Sequence, residues 1–280
     1  MVCIDMDLSI VILNYKSKRL VRNCIRAIKE SNLQVDFEII VVDNDSRDNI
    51  VNDLSQYAPD VKFVSSAKNI GMGGGNNIGI KVASGKYIIV MNPDIFVFKD
   101  SLQLLYNFIH QNPDIGLAAP RLLNPDRSLQ HTCYEWYGSL TPLYRRTFLG
   151  RMKFAQKDLD RFIMKDFDHQ SIRDVSWCQG SCFIVSKKVF DQVGLFDDRF
   201  FMYFEDTDLC RRMWNNNFRV TYVGTIEVIH MHMKMSRGGL LQLFTNKLTR
   251  MHISSWMKYS WKHRKKNTRV AGGEPQTILS

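Results

Sequence analysis

Strand and helix signals alternate through the first hundred residues, and that order leaves few folds open. "LSIVIL" (8–13) is a short apolar run suited to a buried strand. "KSKRLVRNCIRAIKES" then sets Leu20, Val21, Cys24, Ile25 and Ile28 on one helical face, opposite Lys18, Arg22, Arg26 and Lys29. "FEIIVVD" (37–43), "VKFVSS" and "KYIIVMN" read as further strands, with "DNIVNDLSQYA" and "GGNNIGIKVAS" as the helices between them. A β-α-β-α-β-α-β order implies parallel strands joined by right-handed crossovers, so the expected class is α/β with a mostly parallel central sheet flanked by helices. Residues 124–174 are less regular and rich in Arg, Tyr and Phe, as an inserted loop region would be.

The fourth strand stops at Asn92-Pro93-Asp94. Proline has no amide to donate and biases Asn92 towards an extended conformation, so the ladder ends there. Open α/β sheets bind ligands at the carboxyl ends of their strands, which makes Asp94 and Asp43, at the end of the second strand, candidate site residues. The plainer alternatives are a turn at N-P-D and a helix cap at Asp43. "NIGMGGGNNIGI" (69–80) departs from the dinucleotide-binding register beyond Gly73, and no Walker lysine-serine pair follows. Its glycines, Gly71 among them, still permit close backbone approach to a ligand, and Asn76 and Asn77 offer donors and acceptors.

Two further clusters carry chemistry. Glu205, Asp206 and Asp208 crowd the start of an amphipathic helix, either complementing its dipole or raising one another's proton affinity to make a general base. In "IEVIHMHMKMS" (226–236) His230 and His232 fall on one face of a strand. With Asp94 they suit a divalent ion, Mg²⁺ or Mn²⁺, bound mainly through phosphates.

Charge is placed unevenly. Residues 228–273 hold ten Lys or Arg and no acid, equal to the whole net charge of +10. "LLQLFTNKLTRMHISSWMKYSWKHRKK" (240–266) interleaves those bases with Leu, Phe, Met, Trp and Tyr, which suits a helix on an anionic membrane surface or one packed on its own domain. No apolar run approaches a membrane span and the N-terminus lacks the order of a secretory signal, so an intracellular protein is expected. The six cysteines lack C-x-x-C spacing and read as reduced, buried thiols.

"SIVILNYKS", "IIVVDNDS", "NIGMGGGNNIGI", "VMNPD" and "GSCFIVSKKVFDQVGLFDDRFFMYFEDTDLCRR", in this order, resemble the family 2 glycosyltransferases of the GT-A fold, particularly their bacterial rhamnosyltransferase-like branch. The resemblance covers residues 7–236, which it implies are a catalytic domain (1–236) followed by a basic, aromatic extension (237–280). It implies that Asp43 contacts the nucleotide base, with Asn14, Gly71, Asn76, Asn77 and Asn92 as further donor contacts. Asn92 and Asp94 stand where the family's metal motif, usually D-x-D, would be. His230 completes the metal or diphosphate site, with His232 as the fallback, and Asp206, beside Glu205, is the catalytic base.

The implied activity is inverting transfer of a sugar, first of all L-rhamnose from dTDP-rhamnose, to a polyprenyl-diphosphate-linked glycan acceptor in cell-surface polysaccharide synthesis. The implied location is cytoplasmic, peripheral on the inner face of the plasma membrane, with no nucleic-acid partner. Two alternatives stand beside it. A sugar nucleotidyltransferase should show a basic Gly-rich signature that "SIVILNYKSKR" lacks. For a non-catalytic basic binding protein, the acids at 205–208 would be superfluous.

Overall fold

The computed structural model describes residues 6–231 and 247–264. The first four strands are β1 (Leu8–Asn14), β2 (Phe37–Asp43), β3 (Lys62–Ser65) and β4 (Tyr87–Met91). They alternate with helices α1 (Lys18–Lys29), α2 (Ile50–Tyr57) and α3 (Gly71–Val82). They pair in parallel in the order β3-β2-β1-β4, as the alternation predicts. Beyond β4 the sheet becomes mixed. Strand β10 (Cys182–Ser186) runs antiparallel to β4 and to β6 (Ile115–Leu123). Strand β11 (Arg219–His230) lies parallel to β6 and antiparallel to β5 (Ile95–Val97) and β8 (Ile172–Asp174).

Strand alternation divides the core into two layers. Leu8, Ile10 and Ile12 pack with α1, α2 and α4 (Ser101–Gln111) on one face of the sheet. Val11 and Leu13 pack on the other with α3, α7 (Lys187–Val193) and α8 (Glu205–Asn215). The irregular 124–174 region is more ordered than its sequence implies. It holds β7 (Cys133–Tyr134), paired with β9 (Trp177–Cys178), and helices α5 (Thr141–Arg146) and α6 (Lys153–Phe162). The five described cysteines are buried as free thiols, and burial pushes Cys182 up to about 12. Among the described residues no helix is long and apolar enough to cross a membrane.

The glycines at 71–79 have a packing role. They lie inside α3, where added Cβ atoms at Gly75 and Gly79 would run into Leu13, Val11 and Val42, so they let the helix press closely onto β1 and β2. Gly71 has φ +85°, and a Cβ there would collide with the carbonyl of Phe201, which accepts from Met72 N. Gly71→Ala is therefore expected to destabilise the fold by more than ~1 kcal/mol, read as a lower denaturation midpoint in urea.

Packing on the domain, one of the two arrangements open for 240–266, holds for helix α9 (Lys247–His263). Tyr259 joins Phe200 and Phe204 in a small buried cluster, and its hydroxyl accepts from Arg211. Lys262 and His263 reach Asp208 on α8 at 2.6 and 2.8 Å. The extension is thus a buttress of the catalytic body along this helix.

Candidate active site

The carboxyl ends of β1, β2 and β4 bring the first group of residues together. Asn14 and Asp43 are register partners, and Asn14 Nδ2 donates to Asp43 Oδ1 at 3.0 Å and to Ser46 Oγ at 2.9 Å. Ser46 N also donates to Asp43, so this half-buried carboxylate both shapes the turn after β2 and faces the rim of the sheet. Asn14 is fully buried; it holds Asp43 in place and is not itself open to a ligand. Asn77 is likewise committed. Its amide donates to Phe196 O at 2.8 Å and accepts from Phe196 N at 3.0 Å, so the expected donor contact gives way to a tie between α3 and the loop after α7. Asn76 is buried with Oδ1 unpartnered among the described residues.

N-P-D forms the turn between β4 and β5. Asn92 N donates to Ser181 O at 2.8 Å and Ile95 N to Asn92 O, while Met231 N donates to Asp94 O at 2.9 Å. Because β5 pairs Ile95 with His230, Asp94 and His230 become neighbours, with Asp94 Oδ2 3.3 Å from His230 Nε2. His232 lies outside the described residues.

A residue that sequence reasoning missed orients this pair. Gln130 Nε2 donates to Asn124 Oδ1 at 2.8 Å and to His230 O at 2.9 Å, which fixes its Oε1 as an acceptor 3.0 Å from His230 Nδ1. Nδ1 therefore carries the proton, and Nε2 faces Asp94. A carboxylate oxygen and an imidazole nitrogen turned to one point fit a divalent cation such as Mn²⁺. No cluster of three or more such side chains occurs among the described residues, so an ion here would take its remaining ligands from phosphate and water.

The acidic cluster lies one short backbone link away. Asn92 is bonded to Ser181, and the adjoining Gly180 N donates to Asp206 Oδ2 at 3.0 Å. Thr207 N and Oγ1 donate to Asp206 Oδ1 at 2.7 and 3.3 Å. Tyr203 and Phe204 both take left-handed conformations, φ +71° and +69°, to present this first turn of α8.

The three acids then separate in role. Asp208 is fully buried; burial opposes its charge, but His263, Arg212 and Lys262 hold it below the usual carboxylate range. Burial and the Asp206 charge push Glu205 well above that range, and its Oε2 is without a partner among the described residues. Burial also raises Asp206, against the pull of the Gly180 and Thr207 donors. Of the two, Asp206 is the one whose charged form three donors hold, from Gly180 N, Thr207 N and Thr207 Oγ1.

The sequence model of the family described as glycosyl transferase family 2 matches residues 9–194. The chain belongs to that family. The match ends before α8 and β11, so the family 2 glycosyltransferase presents Asp206 and His230 on elements beyond it. Among its relatives is a low-salt glycan biosynthesis hexosyltransferase, Agl10, of Haloferax volcanii, 28% identical over 80% of this chain and 67% of that protein. An N-acetylglucosaminyl-diphospho-decaprenol L-rhamnosyltransferase of Mycobacterium tuberculosis is 28% identical over 69% of this chain and 66% of its own. The chain spans about two thirds of the length of these two. Rhamnosyltransferase WbbL of Escherichia coli K12 is 26% identical over 80% of this chain and 81% of its own, which places this glycosyltransferase in the rhamnosyltransferase-like branch. The fold is GT-A, shared with GalNAc-T7 solved with UDP, GalNAc and Mn²⁺ (TM-score 0.61, 14% identity, 82% of this chain and 44% of that one). It is shared too with Staphylococcus aureus TarS in complex with UDP-GlcNAc (TM-score 0.57, 14% identity, 82% and 60%).

Proposed function

We propose that this glycosyltransferase moves L-rhamnose from dTDP-rhamnose to a hydroxyl of a polyprenyl-diphosphate-linked glycan, with inversion at the anomeric carbon. The observation that carries the reading is the donor-bound Asp206 carboxyl one backbone link from the Asp94–His230 pair. The rhamnosyltransferase relatives support the donor sugar, and the decaprenol-linked one the class of acceptor.

Asp43, held by Asn14 and Ser46, faces the nucleotide base or ribose. Asn92 and Asp94 lie towards the diphosphate. A divalent ion held by Asp94 and His230, Mg²⁺ or Mn²⁺, would supply charge neutralisation for the departing diphosphate. Asp206 accepts the proton of the acceptor hydroxyl as its oxygen attacks the anomeric carbon from the face opposite the leaving group. Glu205, neutral, keeps a second negative charge out of that pocket. The outward side of α9, with Met257 and Trp261 exposed beside Arg264, supports a peripheral place on an anionic inner leaflet.

Turnover of dTDP-rhamnose by the purified protein with a lipid-diphosphate-linked acceptor analogue tests the reading, with UDP- and GDP-sugars in parallel. Transfer from the dTDP donor and its arrest by EDTA are expected; transfer from UDP-hexoses alone would reassign the donor. Asp94→Ala should weaken donor binding more than Asn92→Ala. Gln130→Leu, which frees the His230 ring, should raise the Mn²⁺ concentration for half-maximal rate by roughly 10- to 100-fold. Full activity in EDTA would remove the ion from the mechanism.

A further inference from the structure

The knot formed by α5, α6 and the 3₁₀ turn Phe148–Arg151 between them has no part in the chemistry above. It is well ordered inside: the Gln156 amide donates to Gly150 O, Thr141 Oγ1 to Asp158, and the Tyr144 and Phe154 rings meet edge to face at 5.8 Å. Yet it turns large apolar side chains outward. Phe148 is 69% exposed, Phe154 57%, Leu140 50%, Met152 45% and Leu143 38%. Scattered exposed apolar residues mean little, but five within fifteen positions of one knot mark an interaction surface.

Charge selects the partner. Residues 136–157 contain five Lys or Arg and no acid. Arg145, Arg151, Lys153 and Lys157 are all exposed, interleaved with the apolar side chains. The cores of protein interfaces are depleted in lysine, whereas bases alternating with Phe, Leu and Met suit the headgroup region of an anionic bilayer. We infer that this knot is a second membrane-docking surface, with Phe148, Met152 and Phe154 entering the acyl boundary and Arg151, Lys153 and Lys157 meeting acidic headgroups.

Its position gives the docking a purpose. Arg145 Nη1 donates to the Tyr137 hydroxyl at 3.1 Å, and the Tyr137 ring lies 4.9 Å from that of Phe204, the residue before Glu205. Tyr137 is close enough to Asp206 for that carboxylate to help push its phenol up, behind burial as the main cause. A knot lying on the leaflet therefore brings the base up to an acceptor whose lipid is embedded there. That purpose rests on the lipid-linked acceptor proposed above; the docking itself does not.

Vesicle sedimentation of the full-length protein tests it without turnover. Binding to phosphatidylcholine vesicles containing about a quarter phosphatidylglycerol is expected to exceed binding to phosphatidylcholine alone by roughly tenfold or more. Phe148→Ser/Phe154→Ser and Arg151→Glu/Lys153→Glu should each lower the partition coefficient at least ~10-fold. Transfer to a water-soluble acceptor should be unchanged in both variants, and the melting temperature unchanged in Arg151→Glu/Lys153→Glu, whereas Phe154→Ser gives up the Tyr144 ring contact and should lower it slightly. Undiminished binding by both variants would overturn the proposal. So would loss of binding by Met257→Ser/Trp261→Ser alone, which would assign docking to α9. A wild-type dimer that Phe148→Ser/Phe154→Ser dissociates, without vesicle binding, would make the knot a contact between copies. Absence of transfer to any acceptor alongside intact vesicle binding would instead contradict the proposed reaction and leave the docking surface standing.

Discussion

Asp206→Asn should lower kcat by roughly 10²- to 10⁴-fold, the usual contribution of a positioned general base, with donor affinity by calorimetry near wild type. The asparagine keeps the shape and, with its one carbonyl oxygen, the Thr207 contact made to Oδ1, while its NH2 replaces the Oδ2 that accepts from Gly180 N and cannot take the acceptor's proton. Glu205→Gln makes the informative contrast. Glu205 is buried and burial pushes it well above its ordinary range, which favours its neutral form, so a neutral amide of the same size should leave kcat within roughly tenfold. In the wild type, kcat/KM should rise with pH through a group displaced above the ordinary aspartate value of about 3.9, because the ionised form of Asp206 is the base. A large loss in Glu205→Gln with a small one in Asp206→Asn would exchange the two roles.

Asp208→Ala should cost about 3–5 kcal/mol of stability, the typical penalty for breaking a buried ion pair from one side. The carboxylate is fully buried between Arg212 Nε at 2.9 Å, Lys262 Nζ at 2.6 Å and His263 Nε2 at 2.8 Å, and its removal leaves the buried His263 ring without that partner, while Arg212 keeps the carbonyls of Val193, Gly194 and Leu195 and Lys262 keeps Asp197. For a domain of this size the melting temperature should fall on the order of 10 °C. Lys262→Ala, at a side chain 21% exposed, should cost less. The pH dependence has a definite sign. Asp208 is lowered in the folded state, so its contribution is present above its unfolded value and is lost as pH falls through the folded one. Deleting residues 240–280 should act in the same direction, since it removes Tyr259, Lys262 and His263 and uncovers Phe200 and Phe204. A truncated protein as stable as the full chain would show that α9 contributes nothing to the fold.

Local pattern made part of this legible. β1 to β4 could be read from apolar runs of four to seven residues, and N-P-D marked the end of β4 because proline breaks a ladder wherever it falls. Asp94 and His230 were identifiable as separate residues; their meeting depends on β5 folding back on β11, a pairing between segments far apart in the chain. Gln130 carried no signal, because its role exists only through a histidine a hundred positions away. The glycines of α3 were visible but ambiguous: a tight phosphate loop and a helix pressed against a sheet need the same missing Cβ. The bases of α9 fit a membrane-facing helix and one packed on its own domain equally well in sequence; that Lys262 and His263 turn inward depends on a carboxylate 55 residues back in the case of His263.

Proton NMR of the product tests the mechanism most directly. With a dTDP-sugar of known anomeric configuration and a lipid-diphosphate-linked acceptor analogue, a single displacement assisted by Asp206 predicts a new glycosidic bond of inverted configuration. Retained configuration, or free sugar released in place of a glycoside, would contradict it.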